Sequence, residues 1–282
     1  SVASPFTSRA LSIQCCKDVL KQGRCTLVTL LQIYKILGIN SLVNALVLST
    51  LYLNGAKQGD RQLTILGVGV AALFFFVTKG NPLPTLSPHR PPSTVLCTQA
   101  LLSIALQFIV HASFILISAN VALAYFDPYD PSISPDGPFH PNALNTCTFL
   151  MTSLSTVNTF VVNYRGRPFM EDFYENALFL RSVQACYAVL FVCALEIFYP
   201  LNQLLELSPL PDPDDVLTVL VLEKENDTQS NVWWLNPLIE AIGFPPTMCL
   251  LMVMDCVLSY SMELATRRCF EEDYTKTKRV TT

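Results

Sequence analysis

Charge is scarce in this chain. Asp, Glu, Lys and Arg make up 14% of its 282 residues, against 51% apolar ones. With a mean hydropathy of +0.40, so apolar a surface cannot be kept in water, which excludes an ordinary soluble domain and leaves a multi-span membrane protein. No basic run is present and the net charge of −4 is small, so nucleic acid is not an expected partner. Residues 1–20 hold no continuous apolar stretch; they do not read as a secretory signal, and the chain is expected to start in the cytosol. The ten cysteines show no paired metal-ligand spacing. Cys25, Cys97, Cys186, Cys193, Cys249 and Cys256 lie in or beside apolar segments, where a thiol is a small apolar side chain. Cys15 and Cys16 read as reduced cytosolic thiols.

What the chain does have is apolar runs, and the first organises the rest. From about Cys16 to Leu53 the pattern predicts one helix over ~50 Å long, more than the ~30 Å of a hydrocarbon core. Its polar first third carries Lys17, Lys21 and Arg24, and Asn54-Gly55 ends it. The fold expected is an all-α membrane protein of six transmembrane helices, the first extended into a cytosolic stalk. The other spans are placed at about Gln62–Val77, with Asp60 as N-cap, Leu96–Leu123, Thr146–Tyr164, Leu178–Tyr199, closed by Pro200, and Thr247–Ala265, terminated by Arg267-Arg268. A short interfacial helix is expected at Trp233–Ile242. Of the 18 basic residues, fourteen fall in segments this topology puts in the cytosol. Only Lys57, Arg61 and Lys224 fall opposite, and Lys35 is expected to snorkel to the cytosolic interface. Both ends are thus expected in the cytosol, and the sequon at Asn226, a glycosylation candidate, falls on the other side.

Polar residues inside the spans fall in register. Gln99, Ser103, Gln107 and His111 step by four along the third span, and Thr148, Thr152, Ser155, Thr159 and Asn163 line the fourth. Either stripe suits interhelical hydrogen bonding or the wall of a transport cavity. Asp255 is a carboxylate about eight residues into the sixth span, at the depth of His111. It is expected to pair with His111 or to bond the threonine stripe, as a structural ion pair or a proton relay. The first span offers Gln32, Asn40 and Asn44, which share one face with some drift. The first two spans hold no carboxylate between Gln32 and Asn54 or between Leu63 and Val77, which argues against a bare metal cation as substrate.

KQGRCTLVTLLQIYKIL at Lys21–Leu37, followed by Asn40, then LYLNG at Leu51–Gly55, LQFIVH at Leu106–His111, NYRGRPFMEDFYEN at Asn163–Asn176 and the Asp255 helix resemble the C-terminal membrane half of P5A-type ATPases. These P-type pumps of the endoplasmic reticulum look like dislocases of mistargeted transmembrane helices. ASPFTS at Ala3–Ser8 is similar to the join between that family's phosphorylation domain and its fifth membrane helix. The two Pro- and Asp-rich outer loops, and Glu196, depart from the family.

The resemblance implies a division of the chain into residues 1–15, the end of a cytosolic phosphorylation domain; 16–123, three membrane helices including the stalk; 124–145, a lumenal loop; 146–200, two membrane helices; 201–246, a lumenal connection; and 247–282, the last membrane helix and a cytosolic tail. The family's DKTGT motif is absent from the sequence, so no catalytic residue is expected here. ATP and Mg²⁺ are expected on cytosolic domains outside it, and no metal or cofactor within it. Partners implied are the remainder of the ATPase, the lipid bilayer and transmembrane-helix substrates. Gln32, Asn40 and Asn44 are the cavity-wall candidates, each equally open to a packing role, and Asp60 stands at the lumenal entrance or simply caps its helix. The alternatives are a polyamine exporter of the sister P5B class and a non-enzymatic six-span scaffold or channel subunit.

Overall fold

A computed structural model describes residues 12–88, 90, 91, 94, 96–125, 137–212, 214, 216, 218 and 233–280, with side chains of the last helix described to residue 270. Ser1–Ser8, Asp127, Asp130, Asp136, Asp215 and the sequon at Asn226 lie outside the described residues.

The first apolar run forms α1, Gln14–Leu53, a 40-residue helix roughly 60 Å long. Its buried positions, Cys25, Val28, Gln32, Ile36, Ile39, Val43, Val47 and Leu51, recur every three or four residues. One stripe therefore faces the bundle and the rest is left bare. Burial begins only at Cys25; the turns before it have none. The helix stops where Gly55 takes φ 73° and the Ala56 N–H returns to the Leu51 carbonyl at 2.9 Å, a left-handed ending that glycine takes without penalty.

Next come α2, Asp60–Val77, α3, Thr98–Leu123, α4, Ala143–Asn163, and α5, Ala177–Ala194. A short α6, Tyr199–Leu204, a 3₁₀ turn at Trp233–Leu235, α7, Asn236–Ile242, and α8, Phe244–Val280, complete the described helices. The turn and α7 coincide with the expected interfacial helix, and no strand occurs among the described residues.

Three boundaries differ from expectation. The fifth span ends at Ala194, not Tyr199, because Glu196 turns left-handed at φ 54°, and Pro200 opens α6 instead of closing α5. The last helix runs through Arg267-Arg268, since basic residues suit a helix C-terminal half as well as its end. Asp60 is the first residue of α2, while Gly59 is the N-cap; the Gly59 N–H donates to Gln62 Oε1 at 3.2 Å.

Among the described residues five helices, α1, α2, α3, α5 and the Phe244–Phe270 part of α8, are long and apolar enough to cross a membrane. The expected span at α4 is a helix of membrane length, but its Ser, Thr and Asn content leaves it outside that set. The physical reason is its position: every residue from Leu144 to Phe160 is buried. It packs against α1, α2, α3, α5 and α8 at once. A helix wrapped in protein meets no lipid, so its hydroxyls bond its own turn, as Thr148 does to the Leu144 carbonyl at 2.7 Å and Thr152 to the Thr148 carbonyl at 2.6 Å.

At the basic end of α1 the linkers are ordered against it. Lys21 Nζ donates to the Pro84 carbonyl at 3.2 Å, and Arg24 bonds the Ser87 carbonyl. The same linker pairs with the α4–α5 loop through the Glu171 N–H to Asn81 carbonyl bond at 3.0 Å, beside a Pro82–Met170 bridge.

Candidate functional site

The four cavity candidates do not share a surface. Gln32 and Asn40 are buried, whereas Asn44 and Asp60 are exposed. Each four-residue step along α1 turns 40° past a full rotation, so the drift carries Asn44 off the face that holds Gln32. Gln32 Nε2 donates to the Arg165 carbonyl just past α4 at 2.8 Å. Thr159 of α4 donates to Asn40 Oδ1 at 2.9 Å. Both amides hold α1 to α4.

Beside them, at Lys35 between the two along α1, lies a buried carboxylate that sequence reading had not singled out. Glu263 of α8 accepts from Lys35 Nζ at 2.9 Å, from Gln107 Nε2 at 2.9 Å, from the Ser103 hydroxyl and, at its other oxygen, from Arg267 Nε at 2.8 Å. Arg267 also donates to the Val162 carbonyl at 2.7 Å. Gln107 and Asn163 exchange amide hydrogen bonds at 3.1 and 2.8 Å. One carboxylate thus ties α1, α3 and α8 together, and Gln107 extends the contact to α4. Lys35 does not reach outward as expected: it is 8% exposed, because its ammonium pairs with a carboxylate on a neighbouring helix. The signal was present in the four-residue spacing Asp255, Ser259, Glu263, Arg267 along α8, which matches the Ser103, Gln107, His111 stripe of α3.

Deeper in the same seam, His111 Nδ1 lies 2.8 Å from Asp255 Oδ1, and both side chains are fully buried. The tautomer with its hydrogen on Nδ1 is the one that fits a hydrogen bond to this carboxylate. Ser155 Oγ of α4 lies 3.5 Å from the other carboxylate oxygen. One turn on, Ser259 accepts from Asn158 at 2.6 Å, and Asn158 in turn accepts from the Tyr187 hydroxyl at 3.1 Å. The α3 and α4 stripes both point inward, apart from half-buried Gln99.

Outside the bundle, the α4–α5 loop is braced by exposed ion pairs. Arg167 reaches Asp172 at 3.0 Å and Glu175 at 2.6 Å. The Asp172 N–H first, and Arg167 second, hold the Glu175 carboxyl below its usual range. Glu175 in turn raises the Arg167 guanidinium.

Apolar helices packed around a wholly buried polar one define an all-α, multi-pass membrane protein. Its relatives narrow that class. The chain is 43% identical over 211 residues, 75% of its length, to the probable manganese-transporting ATPase PDR2 of Arabidopsis thaliana. It is 35% identical over 79% of its length to the endoplasmic reticulum transmembrane helix translocase spfA of Aspergillus fumigatus, and 33% identical over 79% to the translocase of Saccharomyces cerevisiae. Polyamine-transporting ATPases match at 24 to 29%. No family model matches the chain. The chain belongs to the P5A-type ATPases, the endoplasmic reticulum transmembrane helix translocases, and corresponds to their C-terminal membrane portion. It spans less than a fifth of the length of these relatives, 18% of the plant protein and 17% of the Aspergillus one.

Proposed function

We propose that this chain is the six-helix C-terminal membrane part of an ATP-driven pump that extracts mistargeted transmembrane helices from the endoplasmic reticulum membrane. In this reading α4 is the fourth of the six spans, enclosed by the others. The basic end of α1 and the end of α8 face the cytosol, and Asn226 lies in the lumen. ATP and Mg²⁺ belong to cytosolic domains outside these 282 residues. α1 is the stalk that carries movement from those domains into the bilayer.

The observation that carries this reading is the two-sidedness of α1. One face is fixed to the bundle by Gln32, Lys35 and Asn40. The other, with Tyr34, Leu37, Leu42 and Leu48 exposed and Asn44 among them, is bare. A rod fixed along one face moves its attached helices with it, while its free face suits contact with the remaining membrane helices and with substrate. Asn44 is one turn from an open hollow of about 370 Å³ lined by Leu48, Ser49, Tyr52 and Lys57, and is retained as the cavity-wall residue. Gln32 and Asn40 act as positioning residues.

The test is ATP hydrolysis by the purified full-length pump in liposomes, with a hydrophobic transmembrane peptide, spermine or Mn²⁺ added in turn. Stimulation by the peptide, with a photo-crosslinker at Asn44 capturing it, is the expected result. Stimulation by spermine alone would move the chain to the polyamine reading. A response to Mn²⁺ alone would support the cation that names the plant relative, and either result would overturn helix extraction.

A further inference from the structure

Neighbouring helices of this bundle differ sharply in how much hydrocarbon they can match. On the flank formed by α3 and α8, the exposed faces run without charge. α3 has 26 residues and no ionisable group apart from buried His111, which gives ~39 Å of helix. In α8 the two carboxylates before Arg267 are buried, and Leu250, Val253, Val257, Tyr260 and Leu264 are exposed.

The α2–α5 flank is shorter. Between Arg61 and Lys79 the apolar run of α2 is Leu63–Val77, about 15 residues or ~22 Å. In α5, Arg181 and Gln184 are exposed in the first half of the helix, and the other end breaks at Glu196. The run Ser182–Leu195 is about 14 residues or ~21 Å. The endoplasmic reticulum bilayer has a hydrocarbon thickness of ~27 Å. Tilting a helix only shortens the thickness it spans.

Two further observations bear on the ends. Snorkelling would lengthen α2, but the Lys79 ammonium folds back over the Phe75 ring, 4.7 Å from its centroid. Phe75 is exposed and one turn nearer the membrane centre, so the charge is drawn inward. The two helices are also held in register. Asn176, at the start of α5, donates to the Phe76 carbonyl of α2 at 3.1 Å, which sets Arg181 deeper than the end of α2. At the other end Glu206, shortly after α6, reaches Arg61 at 3.2 Å and its carbonyl accepts from Gln62 at 3.3 Å. Ile197, Phe198 and Tyr199 are exposed there, and the aromatic pair suits a headgroup boundary.

We propose that the α2–α5 face is built to contact a locally thinned bilayer, with lipid headgroups drawn inward at Arg181, Gln184 and Lys79 on one side and at Glu196 to Tyr199 on the other. The partner is lipid acyl chains, compressed next to α5 relative to those beside α3. A thinned patch lowers the barrier to moving polar flanks of a helix across the membrane, but the thinning follows from the spacing of charges whatever the substrate is.

The experiment is electron cryomicroscopy of the full-length pump in dioleoyl phosphatidylcholine nanodiscs, reading the headgroup-to-headgroup distance beside α5 and beside α3. The expected result is a bilayer at least about 5 Å narrower beside α5. Equal thickness at both places overturns the proposal, as does finding the exposed face of α5 wholly covered by other helices of the pump. In the double variant Arg181→Leu/Gln184→Leu the apolar run lengthens, and the narrowing is expected to shrink by about half or more. A dip that stays unchanged in a variant that still purifies as a folded pump also overturns it. Where that variant does not fold, the wild-type measurement decides alone, and neither readout depends on which substrate drives hydrolysis.

Discussion

The Lys35 ammonium of α1 lies 2.9 Å from the Glu263 carboxylate of α8, with side-chain exposures of 10% and 3%. The two residues are 228 positions apart in sequence, and their contact fixes the longest helix to the last. The pair is not symmetric. Glu263 answers two cations, Lys35 and Arg267, whereas Lys35 has one carboxylate.

Removing the hub is therefore expected to cost more than removing one spoke. Glu263→Ala leaves Lys35 buried and uncompensated, a loss of about 3–5 kcal/mol. Lys35→Met leaves Glu263 still paired with Arg267 and is expected to cost less than half as much. Thermal unfolding midpoints of the full-length protein in detergent measure both. Equal effects would mean that the carboxylate does not organise the cluster.

The His111–Asp255 pair has no exposed atom to escape through. Asp255→Leu and His111→Leu are each expected to destabilise by roughly 3 kcal/mol, and the double variant by clearly less than the sum. For Asp255→Asn, stability and ATP hydrolysis are expected to fall together. If the unfolding midpoint held while hydrolysis or its pH profile changed, the pair would be working as a proton relay and not as a structural contact.

Gly166 opens the α4–α5 loop where a Cβ would stand 2.7 Å from the Glu171 carbonyl oxygen and from Asp172 Cα. Backbone atoms of that segment cannot yield as a flexible side chain would. Gly166→Ala is expected to cost about 1–3 kcal/mol, and to raise protease sensitivity within 164–176. Gly23→Ala, with open space around its Cβ position, is the control and is expected to be neutral or slightly stabilising.

The same loop carries a pH dependence of known sign. The Glu175 carboxyl is held below its ordinary value in the folded loop, so its contribution is complete above the unfolded value, about 4.3. It is lost as pH falls through the lower folded value. Amide hydrogen exchange over 165–176 is expected to be flat, once corrected for intrinsic rates, from pH 8 to pH 5 and to lose protection below about pH 4. Because the pairs are exposed, added salt weakens the effect. Loss of protection between pH 5 and pH 7 would mean another group is responsible.

Parts of this arrangement were readable without coordinates. The four-residue spacing of Ser103, Gln107 and His111 marked one inward face of α3, and depth counting put Asp255 level with His111. Helix geometry relates residues of one helix, and hydrocarbon thickness relates their heights. Neither says which helices are neighbours. Lys35 looked like an interfacial residue because its height allowed it, and only the presence of Glu263 on an adjacent helix made burial the better solution. Glu196 and Pro200 show the converse failure: a proline is a strong stop signal, but the chain had already turned at a glutamate whose carboxylate accepts the Leu210 N–H at 2.8 Å, a contact 14 positions away.

What the sequence determined by itself is the set of apolar runs long enough to become membrane helices, since burying backbone polar groups in lipid leaves the helix as the only open choice for each. Which helix lies at the centre was decided by tertiary packing. α4, with more hydroxyls and amides than lipid tolerates, is stable because five neighbours' worth of protein surface replaces lipid around it. The same packing separated Asn40 from Asn44: a drift of 40° is invisible in a spacing rule, yet it is enough to put one amide against Thr159 and leave the other facing out.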